Sequence, residues 1–453
     1  MDRANLPLLL DLLEEKWHEV SMHQGKHGKV LLFEVNPYSP PMTPISLGYL
    51  AAFLKKHGFE TKIVTISEYG EHSLNSLSRL IKEFDPQLVG FSTYQRNILY
   101  VLGLASFIKS LNSEIKIALG GPQITFMPSQ ALKEMPMIDY LCRSEGELTL
   151  LTIAQAIAGG HPFDSLKGVT FNYQGEIVET EPLVGLEDLD EYPSPHLMGL
   201  FDYTQVEEVI MLSSRGCPYN CIFCYTPQAF NHKIRFHSIE RVIEEIKWVL
   251  KKGKNRFWFA DPNFSFKAER VHQILDEIIR HELKVNMWLE TRVDLINEAM
   301  MKKMKRAGVH TIAYGLESAS EHVLKIIKKR VSLDQLRNAI KLAQKYEIEV
   351  ELFSLFGLPG ERFVDAVKTL EFVKKQGVKI QGNSNAQQMQ LYFGTPLTRN
   401  YARYGIKPLP DKRPAYISIG DRYETDTMTR EEIEKIKALW RQNSLDRGKR
   451  VVS

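Results

Sequence analysis

From Lys29 the chain alternates short apolar runs with stretches whose apolar residues recur at helical spacing. "KVLLFEV" (29–35), "ETKIVTI" (60–66), "PQLVGFS" (86–92) and "EIKIALGG" (114–121) have the composition and length of buried strands. "ISLGYLAAFLKKHG" (45–58), "LNSLSRLIKEF" (74–84) and "ILYVLGLASFIKSL" (98–111) have the spacing of helices, and "IDYLC" with "EGELTLLTIAQAIAGG" adds a further strand and helix. Such alternation predicts a Rossmann-like, doubly wound parallel sheet over residues 28–165. Residues 1–27 read as a helical extension that becomes loose.

The pattern changes at "GVTFNYQGEIVETEP" (168–182), whose period of two around "YQGE" predicts a β-hairpin. An acidic, aperiodic stretch with prolines follows, so residues 166–205 read as hairpin and linker. A second series covers 206–400, with strands expected at 208–213, 256–260, 285–290, 310–317, 350–357 and 380–391 and helices between them. Six βα units predict a partial (β/α)6 barrel of the TIM type, with its chemistry at the carboxyl ends of the strands. Residues 401–453 read as a polar tail carrying one amphipathic helix, capped by Thr429 with Glu432 in a capping box.

Composition adds mostly exclusions. The chain has 453 residues, a net charge of +3 and four cysteines. A charge so near neutral implies no bulk attraction to nucleic acid or membranes. Lys251, Lys252 and Lys254, and Lys302 to Arg306, fall where helices should end, where cations suit the helix dipole. The start "MDRANLPLLLDLLEEKW" has no signal-peptide pattern, and no apolar run is long enough to span a bilayer. A cytoplasmic, reduced setting is expected.

Three of the cysteines, Cys217, Cys221 and Cys224, crowd into "SSRGCPYNCIFCYTPQ", directly after the first barrel strand. Zinc sites want four ligands, usually as two pairs, so a zinc reading would need His232 or His237 as the fourth. A cubane [4Fe–4S] cluster normally takes four thiolates, and three leave one iron open. Cys217-x-x-x-Cys221-x-Phe223-Cys224 resembles the signature of the radical S-adenosylmethionine (SAM) family, and its surroundings are especially similar to members with an N-terminal cobalamin-binding domain. The resemblance covers about residues 28–400. It implies that the open iron chelates SAM and that reductive cleavage of SAM yields a 5′-deoxyadenosyl radical. It further implies SAM contacts from Phe223 and Tyr225 after the cysteines, and from Asp261 in "FWFADPNFSF", where Ala260 departs from the two acids common in the family. Further SAM contacts are implied for Glu290 and Arg292 in "LETRVD", for Glu317 and Ser318 in "YGLESAS", and for Gly357 and Pro359 in "FGLPGE".

The N-terminal segment resembles the family's cobalamin-binding domain through "PPMTPISLGYLAAFLKKHGFE", "PQLVGFSTYQRN", "IALGGPQIT" and "RSEGELTL". This implies cobalamin contacts from Ser92, Thr93, Tyr94, Gln95, Gly120, Gly121, Glu145 and Gly146. No Asp-x-His-x-x-Gly triplet supplies a histidine for cobalt, which leaves Tyr94 as the candidate for its lower face. The implied activity is methylation of an unactivated carbon or a phosphorus centre of a small molecule. A cobalamin-binding radical cyclase and an iron–sulfur or corrinoid carrier are the alternatives. An electron donor such as flavodoxin or ferredoxin is the expected partner. Tyr225, Arg235, Tyr392 and Tyr416 are the candidate pocket residues, the first three as catalytic candidates.

Overall fold

The computed structural model describes residues 28–36, 42–67, 74–159, 166–378 and 386–445. The 1–27 extension and part of the expected 380–391 strand lie outside them.

The first unit is a seven-stranded sheet. Strands β1 (Lys29–Asn36), β2 (Glu60–Ser67), β3 (Leu88–Ser92), β4 (Lys116–Gly120) and β5 (Tyr140–Cys142) run parallel in the order 2-1-3-4-5. The near-continuous apolar sequences of β1, β3, β4 and β5 follow from burial of both faces, whereas the edge strand β2 keeps Glu60, Lys62 and Thr65 exposed. Val30 and Leu32 of β1 pack with the helices Ile45–Lys56 and Gly146–Ile157. Leu31, Phe33 and Val35 pack on the other face with Leu74–Phe84 and Ile98–Leu111. In this order the winding reverses between β1 and β3, so the crevice that accepts ligands in such folds lies at their carboxyl ends.

The predicted hairpin forms as β6 (Val169–Tyr173) and β7 (Glu176–Glu179). Its turn residues Gln174 and Gly175 both have positive φ (53° and 90°), as a tight twisted hairpin turn requires. It does not sit in the linker: β6 pairs antiparallel with β5, placing Phe171 beside Tyr140, and closes the edge of the first sheet.

The second unit begins with β8 (Val209–Met211). A two-stranded antiparallel ribbon follows, made of β9 (Ser214–Gly216) and β10 (Ile234–Phe236). Then come β11 (Arg256–Phe259), β12 (Asn286–Thr291), β13 (Val309–Glu317), β14 (Glu349–Phe356) and β15 (Ala386–Gln388). Strands 8, 11, 12, 13, 14 and 15 form one parallel sheet in sequence order, the open six-stranded barrel that the periodicity predicts. Outward residues such as Phe257, Phe259, Met287, Leu289 and Leu352 pack under the surrounding helices.

Residues 401–445 are packed onto both units. Strands β16 (Ile406–Pro408) and β17 (Tyr423–Thr425) pair antiparallel. Ala415, Tyr416 and Ile417 pack against the core of the first sheet, and Gln123 donates to the Tyr416 carbonyl at 2.7 Å. Tyr416, a pocket candidate, is thus committed to packing between the units. The helix Arg430–Leu445 starts at the predicted capping box, in which Glu432 accepts from the Thr429 amide (2.9 Å). It buries Ile433, Ile436 and Trp440 in the barrel core. Among the described residues no helix is long and apolar enough to cross a membrane.

If this helix is part of the barrel, Ile436→Ala should cost about 2–5 kcal/mol, as burial of an isoleucine in a packed core implies. Urea unfolding should show the loss; a change below about 0.5 kcal/mol, typical of surface positions, would place the helix outside the core.

Candidate functional site

The cysteine loop grows from the end of the ribbon. Gly216 has φ of 92°, and a Cβ there would lie 2.2 Å from the Lys233 carbonyl oxygen, so only glycine lets the two strands close at this point. In mid-loop, Ile222 anchors the backbone: its amide donates to Ile327 and its carbonyl accepts from Leu397. Its side chain is buried in one apolar cluster with Val323, Leu358 and Leu397, and Phe223 packs against that cluster. Cys221 is buried, while Cys217 and Cys224 are half-buried.

Burial pushes all three thiols up, Cys224 to about 12, while Arg292 and Lys329 pull Cys217 and Cys221 the other way. A bound metal centre would supply the remaining drive to the thiolates. The three cysteines fall within eight residues of this loop, and the Cys224 amide donates to the Cys221 carbonyl (3.2 Å). Among the described residues no three ligand side chains converge tightly enough for a single ion. An iron–sulfur cubane, being larger, spreads its thiolates further apart, and one buried and two half-buried cysteines on one anchored loop fit it. The zinc alternative fails at its fourth ligand. Both ring nitrogens of His232 and of His237 are within hydrogen-bond reach of protein groups, Gln228 and Tyr219 for one, Tyr49 and Asp190 for the other. Cys142 lies in the core of the first sheet, its thiol pushed up to about 12, and takes no part in the loop.

The residues expected to contact SAM all reach the carboxyl end of the barrel, but several are turned inward. Asp261 is fully buried and accepts from the Ser213 amide and hydroxyl (3.2 and 3.0 Å) and from the Ser214 hydroxyl. It ties β8 to the ribbon instead of facing a ligand. Ser318 is also sealed, 3.4 Å from Glu361. The Arg292 fork is taken by Asp294 (3.0 and 3.1 Å) and by the carbonyls of Lys329 and Arg330, and it stacks 3.8 Å over Tyr219. Glu317 stands on a bulge in β13 with φ of 61° and pairs with Lys329 at 2.7 Å.

The Gly357–Pro359 turn is held by Glu361, which accepts from the Gly357 and Leu358 amides (2.8 and 3.2 Å), and by Tyr423, which donates to the Gly357 carbonyl. Burial pushes Glu361 up to about 8. Glu290 differs from these. Its carboxyl is raised to about 7, by burial first and then by Asp261, Glu351 and Glu317, with Lys329 opposing. It shares a register row with Ala313 and Glu351. This surplus of negative charge suits a cationic group.

At the other sheet, Asn97 staples the switch point, donating to the carbonyls of Val35 (3.3 Å) and Ser92 (3.1 Å). Sequence reading passed over it because an asparagine at a helix start is usually a cap. Thr93 Oγ1 and Gln95 Oε1, after β3, are buried polar atoms with no protein partner. Such atoms call for a ligand. Tyr94 beside them is 40% exposed, and Ser92 is buried. These residues fit a large amide-bearing cofactor at the crevice. Gly121, with φ of 99°, has another reason: its Cβ would meet the Thr93 carbonyl oxygen at 2.8 Å, so it serves strand packing. Gly120 accepts from the Thr93 amide (2.8 Å), and Gly146 packs against Leu50.

The sequence profile of the B12 binding domain matches residues 35–154, and that of the Radical SAM superfamily matches residues 211–373. An uncharacterized methyltransferase of Pyrococcus horikoshii is 30% identical over 338 residues, which is 73% of this chain and 73% of the relative. The chain belongs to the radical SAM family, among members with a B12-binding domain. An anaerobic magnesium-protoporphyrin IX monomethyl ester cyclase of Rubrivivax gelatinosus is 25% identical over 419 residues, 89% of this chain and 71% of the relative. A radical SAM methyltransferase of Kitasatospora setae, solved with cobalamin and a [4Fe–4S] cluster, shares the fold. Its TM-score is 0.75 at 18% identity, covering 91% of this chain and 89% of that one.

The B12-binding and radical SAM domains meet at their ligand ends. Tyr225, the residue after Cys224, donates to Thr125 at 2.9 Å and sets its ring edge against Phe126 at 5.7 Å. Two expectations are corrected here. Glu145, expected against cobalamin, instead pairs with Arg215 (2.9 Å) and with Arg235 (2.6 Å). Arg235, a catalytic candidate, is spent on that pair and on the Leu186 carbonyl. Tyr392, the remaining catalytic candidate, is 37% exposed, and its carbonyl accepts from Thr395.

Alanine at Cys217, Cys221 and Cys224 together should abolish the four irons expected of one cluster, while Cys142→Ala should leave iron content unchanged in anaerobically reconstituted protein. Iron retained in the triple variant would refute the assignment. A second test uses Glu290. The folded protein keeps a proton that the unfolded chain releases between pH 4.5 and about 7, so stability falls as pH rises through that window. Glu290→Gln should reduce this fall by on the order of 2 kcal/mol, read from urea unfolding of cofactor-free protein at pH 5 and pH 7.5.

Proposed function

We propose that this enzyme methylates an unactivated carbon or phosphorus centre of a small molecule, with cobalamin as methyl carrier. When bound, the cluster, SAM and cobalamin would supply the reducing electron, the 5′-deoxyadenosyl radical and the transferable methyl. The supporting observation is the Tyr225–Thr125 contact: the residue that follows the last cluster cysteine touches the loop after β4 of the B12-binding domain. The substrate would therefore enter where both cofactor sites border one space.

The chain's own residues divide the work. Cys217, Cys221 and Cys224 would hold three irons. Glu290, whose carboxyl is raised to about 7 and which a nearby cation would hold ionised, would face the charged part of SAM or of the substrate. Lys329, kept charged by Glu317, would offset the negative charge of the thiolates. Thr93, Gln95 and Tyr94 would receive the amides and lower face of the corrin. Flavodoxin or ferredoxin would deliver the electron, in a cytoplasmic setting where an oxygen-sensitive cluster survives. The likeness to the protoporphyrin cyclase over 419 residues keeps a cobalamin-binding cyclase as a second reading.

Methyl transfer uses SAM twice, once for the radical and once to remethylate the carrier. Methylated product, 5′-deoxyadenosine and S-adenosylhomocysteine should accumulate in equal amounts over many turnovers, and methyl-deuterated SAM should label the product. Product formed with 5′-deoxyadenosine but without S-adenosylhomocysteine would establish the cyclase reading. Neither nucleoside, with cobalamin bound and a reductant present, would return the protein to the carrier class.

A further inference from the structure

The contact between domains holds more charge than a packing surface needs. Arg215 and Arg235 are direct cross-strand partners on the β9–β10 ribbon. Like charges so opposed repel. Both reach Glu145, and Arg215 also reaches Glu147 at 2.8 Å, so two positive and two negative charges balance. The four side chains are only 9%, 10%, 12% and 6% exposed, for Arg215, Arg235, Glu145 and Glu147. The Arg215 guanidinium lies between the rings of Tyr49, from the B12-binding domain, and Tyr192, from the linker, at 4.6 and 4.7 Å. Gly185 of the linker crosses Glu145 so closely that a Cβ would fall 1.9 Å from its Oε2.

A buried ion network returns little net stability, because desolvation offsets the attraction. Its use is geometric: a planar fork held by two carboxylates admits one orientation. Arg215 stands two residues before Cys217, while Glu145 and Glu147 open the first helix after β5 of the other domain. The network therefore ties the base of the cluster loop to the B12-binding domain. Together with Tyr225–Thr125 it gives two separated attachment points, which restrict how one domain can turn against the other as well as how far apart they lie.

We propose that Arg215 is a positioning residue that sets the separation between the cluster and the corrin, and so couples their chemistry. The proposal rests on the functional reading above. Its test uses holoenzyme of Arg215→Lys, which keeps the charge but cannot fork between two carboxylates, and of Glu147→Gln. Lys233→Ala, at an exposed ion pair with Glu187 beside the same linker, is the control. Iron and cobalamin contents should match the parent enzyme in all three. In the first two, the relaxation enhancement that the reduced cluster imposes on the cobalt(II) paramagnetic signal should fall. Transfer of the SAM methyl to cobalamin should slow by roughly 10- to 100-fold, the scale of an ångström-sized misplacement. Lys233→Ala should change neither. Unchanged relaxation in both variants, with both cofactors bound, would overturn the proposal alone. Loss of the cluster in both variants with cobalamin retained would also overturn it, making Arg215 a residue of loop folding. Parent enzyme that takes up no cobalamin would instead sink the functional reading.

Discussion

Two arginines face each other across a ribbon of three residues per strand, and that arrangement is tenable only because two carboxylates from another domain meet them. The ribbon carries the cysteine loop. The loop's place thus depends on acids that lie about 70 residues earlier in the chain, at the start of a helix on a different sheet. Tyr49, Tyr192 and Gly185 close around the same charges, so packing and electrostatics act on one point.

Around this joint the polar groups fall into two kinds. Asp261, Glu361, Ser318 and Arg292 are sealed and satisfied within the protein. They shape turns and strand ends: Glu361 gathers the amides of the Gly357–Pro359 turn, and Asp261 joins β8 to the ribbon. The cysteines, Glu290, Thr93 and Gln95 are the groups left with capacity for ligands or with an unfavourable state that a ligand would relieve. Low dielectric makes each unsatisfied group costly when alone, which is the physical reason such groups mark binding sites.

The C-terminal segment reinforces the arrangement from the far side. Residues 415–417 pack on the first sheet, while Ile433, Ile436 and Trp440 complete the barrel core. Tyr423 reaches the Gly357 turn from the same segment. A polar average over this stretch hid the few apolar residues that do the packing. That is why its sequence read as a tail, although its capping box was legible.

What the sequence determined by itself is local. Period-two and helical spacing, the capping box at Thr429, the "YQGE" turn and the spacing of three cysteines each depend on neighbours within a few residues, so both sheets, the hairpin and the cluster loop were readable in advance. Only the tertiary structure decided which sheet the hairpin joins, and which charges meet. Glu145 and Arg235 are 90 residues apart, and nothing near either in sequence distinguishes a cofactor contact from a buried ion pair. The same holds for Asp261, whose type suited a ligand but whose partners Ser213 and Ser214, brought close by folding, satisfy it first; the Arg292 fork is shared between its sequence neighbour Asp294 and the distant carbonyls of Lys329 and Arg330. Pairing energy depends on distance and dielectric, and both are set by the fold.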